Sequence, residues 1–135
     1  MKKEELKKLL WDSRNQNYRL IAVFSATCMP KLRVVNTPGI IHRLDLEIFL
    51  EKFQNLEKDE CFVFGKLPVC DHRIGYKTTE YLLKDTDSEN DVENYYMQKV
   101  NVISDIQCFV ENNFDGTFNL YDCSASGTCI MLTET

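Results

Sequence analysis

A chain of 135 residues has room for one core of useful size without disulfide or metal staples. Its 44% hydrophobic and 27% charged residues, with only five Gly and three Pro, exclude a disordered or linker-rich polymer, and no apolar run approaches the roughly eighteen residues needed to cross a bilayer as a helix. The formal charge of −5 is unevenly placed: residues 1–84 hold fifteen of sixteen Lys and Arg and eleven of twenty-one acids, a net of +4, whereas residues 85–135 hold one base, Lys99, and ten acids, a net of −9.

Residues 3–15 read as an amphipathic helix, with Leu6, Leu9, Leu10 and Ser13 at i, i+3, i+4 and i+7 and Trp11 beside them. Glu4 and Lys8 form an i,i+4 pair in the favourable order. Residues 18–28 are almost continuously apolar, the pattern of a central strand covered on both faces. Met29-Pro30 closes that run, residues 31–35 form a short strand, and Asn36-Thr37-Pro38-Gly39 is a turn.

A second helix opens at Asp45, the expected N-cap. Glu47 lies in its first turn, and Leu46, Phe49, Leu50 and Phe53 form an apolar face. After residue 60 the period changes from helical to two. Residues 61–64 and 76–83 read as strands, and the acidic run 85–93 as an exposed loop. From Tyr96 the even positions Val100, Val102, Ile106, Cys108 and Val110 are apolar, which indicates one long strand or two broken near Ser104. A capping box over Ser104–Gln107 is the competing helical reading. Asp115-Gly116 marks a hairpin between Phe114 and Phe118, and residues 117–123 and 128–133 supply the last strands. The expected fold is α+β, a single domain over residues 1–135. Both helices are expected on one face of a mostly antiparallel sheet that ends in a β-meander.

Six cysteines, Cys28, Cys61, Cys70, Cys108, Cys123 and Cys129, admit three disulfides on count alone. Disulfide frameworks belong mainly to small secreted domains, and Cys61, Cys70, Cys108 and Cys129 sit in apolar runs. Free thiols in a reducing compartment are the expectation. The N-terminus has early positive charge but no apolar segment of the kind a secretory signal needs, so the expectation is a cytoplasmic chain, or a mature form whose leader has gone.

The alternating acids Asp85, Asp87, Glu89, Asp91 and Glu93 invite a calcium reading. Counted from Asp85, however, position 6 is Asn90 and position 12 is Tyr96, so the glycine turn and bidentate Glu of an EF-hand are missing. A zinc site drawn from Cys61, Cys70 and His72 has Cys-x₈-Cys-x-His spacing and no evident fourth ligand, against the short paired spacings zinc prefers. Acid–base chemistry on a phosphodiester would draw on His72 and Arg73, next to Asp71, with His42 as a second imidazole. No phosphate loop, dinucleotide fingerprint or nucleophile elbow is present, and no cofactor is implied. Arg19, Lys31, Arg33 and Arg43 could make a small basic patch, but the acidic half would oppose a phosphate backbone, which argues against direct nucleic-acid binding.

The profile is that of a non-enzymatic inhibitor or neutraliser of another protein. The carboxylates of Asp85, Asp87, Glu89, Asp91 and Glu93 would occupy a partner's basic, nucleic-acid-binding surface and imitate phosphates. Immunity proteins of bacterial toxins and phage-encoded inhibitors of host defence share this general profile, though no residue motif ties the chain to either. The alternative is a small enzyme acting on nucleotides or phosphodiesters through His42, His72 and Arg73. No membrane partner is expected, and strand edges leave room for pairing with a second copy.

Overall fold

The computed structural model describes residues 1–12, 17–36, 40–74, 104–124 and 128–132. Over 33–36, 40–44 and 129–132 the description is of the backbone. The elements run α1 (Lys3–Asp12), β1 (Arg19–Ser25), β2 (Pro30–Asn36), β3 (Ile40–Asp45), a 3₁₀ turn (Leu46–Phe49), α2 (Leu50–Gln54), β4 (Phe62–Gly65), β5 (His72–Arg73), β6 (Cys108–Asn112), β7 (Thr117–Asp122) and β8 (Cys129–Leu132). The fold is α+β, as expected. A five-stranded sheet has the order β1-β7-β6-β4-β5, and a three-stranded sheet has the order β3-β2-β8. All described pairings are antiparallel except the two-residue match of β4 with β5.

Alternation along β4, β6 and β7 divides the core in two. On one face Phe62, Phe64, Cys108, Val110, Phe118 and Leu120 meet Phe53 of α2, Leu46, and Met29 and Leu32 around β2. On the other, Val63, Phe109, Cys61 and Cys123 meet Leu6 and Leu10 of α1. The two helices therefore cover opposite faces of the five-stranded sheet, not the same face. Their apolar stripes require one buried side each, but they do not specify which sheet face receives it. Phe53 is fully buried, with ring centroids 5.4 Å from Phe62, 5.9 Å from Phe118 and 6.0 Å from Phe24. Asp45 caps the 3₁₀ turn as expected, its carboxylate accepting from the Glu47 N–H at 3.1 Å.

Three further expectations change. The run 18–28 is not a central strand covered on both faces: β1 spans Arg19–Ser25 and is the outermost of the described strands of its sheet, with Leu20 and Val23 about half exposed. A register shift between Leu20 and Ala22 leaves Ile21 as an extra residue and re-aims the strand. An apolar run alone cannot tell a two-sided strand from one whose second face meets solvent. The C-terminal strands do not finish one meander, because β6 and β7 form a hairpin but β8 joins β2 in the other sheet. Residues 104–107 are neither strand nor helix, yet half of the capping box forms: the Gln107 side-chain oxygen accepts from the Ser104 N–H at 3.1 Å. The predicted strand at 76–83 and the loop at 85–93 lie outside the described residues.

Candidate functional site

β5 carries two of the acid–base candidates, and the fold engages both. His72 is opposite Phe64 in the parallel register, and its ring lies 4.9 Å from that of Phe49 and 5.9 Å from that of Phe64, in edge-to-face contacts. Burial pushes its pKa below the usual imidazole value, and Nε2 is buried without a hydrogen-bond partner among the described residues. Arg73 donates from Nε to the Lys66 carbonyl at 3.0 Å. The adjacent Asp71 accepts from the Val63 N–H at 2.8 Å and lies 3.2 Å from the Met1 ammonium. His42 lies on β3 opposite Val34, in the three-stranded sheet, whereas His72 is on β5 of the five-stranded one.

The sulfur candidates lie on the opposite face from the His72 ring. Cys61 and Cys70 belong to the core under α1, whereas His72 packs on Phe64 of the α2 side, so the sheet separates the thiols from the imidazole. The Cys61 thiol donates to the Met1 carbonyl at 3.6 Å and the Cys70 thiol to the Asp105 carbonyl at 3.5 Å. Burial pushes the Cys61 pKa up to about 12 and that of Cys70 up to about 11, which keeps both protonated and poor as nucleophiles or ligands. Among the described residues no group of three or more His, Cys, Asp or Glu is arranged to hold a metal ion. The five cysteines whose side chains are described are free; Cys28 is exposed and the other four are buried. The acids Asp85, Asp87, Glu89, Asp91 and Glu93 lie outside the described residues.

A cluster that sequence reasoning did not single out lies on the α1 side of β6 and β7. Phe109 and Tyr121, cross-strand neighbours, stack with centroids 4.8 Å apart, and Tyr18 meets them edge-on at 5.5 and 5.7 Å. One Glu111 carboxylate oxygen accepts from the Tyr121 hydroxyl at 2.6 Å and the Asn119 amide at 2.9 Å, and the other is 3.4 Å from the Lys3 ammonium. Burial acts to raise the Glu111 pKa, but these donors and the ammonium outweigh it and hold the carboxyl below its usual range. Burial and the same carboxylate push the Tyr121 phenol up to about 12. Rings and carboxylate line a cleft of about 90 Å³ beneath α1. The signal for it was legible: Phe109, Glu111, Asn119 and Tyr121 occupy the odd positions opposite the apolar even ones.

Comparison of the chain with known protein families, with curated proteins and with solved structures returns no match. No described helix is long and apolar enough to cross a membrane. What the chain does must therefore be argued from its own residues.

A second polar network secures the end of β7. Asp122 is 5% exposed, and its carboxylate accepts from the Ser124 N–H at 3.1 Å, the Ser124 hydroxyl at 2.7 Å and the Thr128 hydroxyl at 2.9 Å. The fully buried Gln107 donates to the Thr128 hydroxyl at 2.8 Å. These bonds join both flanks of the 125–127 connection to β7, so this acid is engaged in holding the fold.

Proposed function

We propose that this chain acts by binding another protein, as a cytoplasmic inhibitor or neutraliser without chemistry of its own. Its acidic C-terminal half would block a basic, nucleic-acid-binding surface of the partner. The observation that carries the reading is the division of charge, with a net of −9 and a single base after residue 84. Carboxylates arranged against a cationic groove speed capture and reproduce the pattern of phosphates. The internal contacts of His72, Arg73, Cys61 and Cys70 give the reading further support, since each is already used in packing or bonding to the chain.

Affinity capture with the whole chain tests it. The expected result is one stoichiometric partner that is released as salt rises and that binds nucleic acid less well while the chain is attached. The variant D85N/D87N/E89Q/D91N/E93Q should lose the partner. Retention by that variant, or a partner whose nucleic-acid binding is unaffected, would defeat the proposal. A phosphodiester enzyme built on His42, His72 and Arg73 would instead require the two imidazoles to share one hydrogen-bonded site across the two sheets.

A further inference from the structure

We infer that the groove between α1 and the β6–β7 hairpin, walled by Tyr18, is a second docking site whose described lining includes none of the acids Asp85, Asp87, Glu89, Asp91 and Glu93. It would seat one apolar side chain from an acidic segment of a partner protein. At about 90 Å³ the cleft is too small for a cofactor or drug-sized ligand, but it is the right scale for the end of one side chain. Its floor is the stacked pair Phe109 and Tyr121, its outer wall is Tyr18, and Leu6 of α1 closes the far side. The apolar surface continues past the cleft along β1. Leu20 is opposite Tyr121 and Val23 opposite Asn119 in register, so both lie on the α1 side of the sheet, and they are 49% and 56% exposed. Apolar and aromatic side chains with a few placed polar groups are the usual lining of a small binding pocket.

Charge decides the class of occupant. Among the described lining residues the one carboxylate, Glu111, is already held by Tyr121, Asn119 and Lys3. Lys7 lines the same cleft one helical turn beyond Lys3 and has no ionic partner among the described residues. Among the described lining residues the charge left available is therefore the positive one of Lys7, so the complementary segment carries carboxylates on either side of its apolar anchor.

The test is backbone-amide NMR on the whole chain with three end-blocked probe peptides: Asp-Glu-Phe-Glu-Asp, Asp-Glu-Ala-Glu-Asp and Lys-Lys-Phe-Lys-Lys. The first should shift the amides of Lys7, Tyr18, Phe109 and Tyr121 in the millimolar range or tighter. Replacing Phe by Ala or reversing the peptide's charge should each weaken it by about fivefold or more, and K7E should do the same while leaving the thermal midpoint within a few degrees. No shifts at these amides, equal binding of the basic peptide, or full binding by K7E would overturn the inference. Shifts of the same amides on concentrating the free protein, with dimer in sedimentation, would assign the groove to a second copy and overturn it as well.

Discussion

At the scale of single residues, the tightest constraint is steric. A Cβ on Gly65 would stand 2.2 Å from the Asp105 carbonyl oxygen and 2.9 Å from the Cys70 sulfur. That carbonyl also accepts the Lys66 and Leu67 N–H groups, so it cannot simply move away. Gly65→Ala should therefore cost about 3 kcal/mol, read as a lowered urea midpoint with an unchanged slope. A midpoint within experimental error of the parent would show that the 104–107 segment yields easily. His72 provides a titratable counterpart. Burial depresses its folded-state pKa, so the unfolded chain binds the proton more tightly. The contribution of neutral His72 is complete above the unfolded value of about 6.5 and is lost as pH falls through and below it. Stability should decline from pH 7.5 to 5.5 more steeply in the parent than in His72→Phe, and parallel pH profiles would refute this. Thiol labelling tests the same burial argument. In the native protein Cys28 should alkylate at least about tenfold faster than Cys61, Cys70, Cys108 or Cys123, as read by peptide mapping, because thiolate character and access fall together in the interior.

At the scale of elements, features encoded within a few residues were readable from sequence, and features set by distant partners were not. Asp45 as a cap, the 46–53 apolar stripe and the Asp115-Gly116 turn are local: each depends on a side chain bonding its own backbone or on a backbone angle, and each forms. The edge position of β1, the departure of β8 to another sheet and the placement of the helices on opposite faces depend on which strand meets which, which no periodicity states. The candidate site divides in the same way. His72 and Arg73 were legible as residue types, but their engagement by Phe49, Phe64 and Lys66 is a tertiary fact. The β6–β7 hairpin carries its own local strain. Phe114 adopts φ of 60° at its tip, where Gly116 has φ of 87°, and the Phe114 side chain is half exposed. A bulky residue in the left-handed region costs about 1 kcal/mol relative to glycine. Phe114→Gly should therefore raise stability by about that amount. A loss of stability would mean that the exposed ring contributes packing that outweighs the backbone strain.

At the scale of the whole molecule, the five-stranded sheet couples two cores that share no side chains. Val63 and Val110 are both fully buried on the adjacent strands β4 and β6, but they point to opposite faces: Val63 towards Leu6 and Leu10, Val110 towards Phe53 and Leu120. Truncating either to Ala removes two methyl groups from a packed interior, a cost of about 2 kcal/mol each once the residual cavity is included. Because the side chains have separate neighbours, the double variant should lose the sum to within about 0.5 kcal/mol. Helix and sheet signals should still fall together, since the two faces share the same backbone ladder and neither core can open without releasing the other. An excess or deficit of more than about 1 kcal/mol in the double variant would show that the strands shift to absorb the first cavity. Early melting of the helical signal in Val63→Ala alone would show that α1 is a separately stable layer. In that event the groove beside it would open by undocking of the helix, and exposed core would compete with any partner segment for the same aromatic floor.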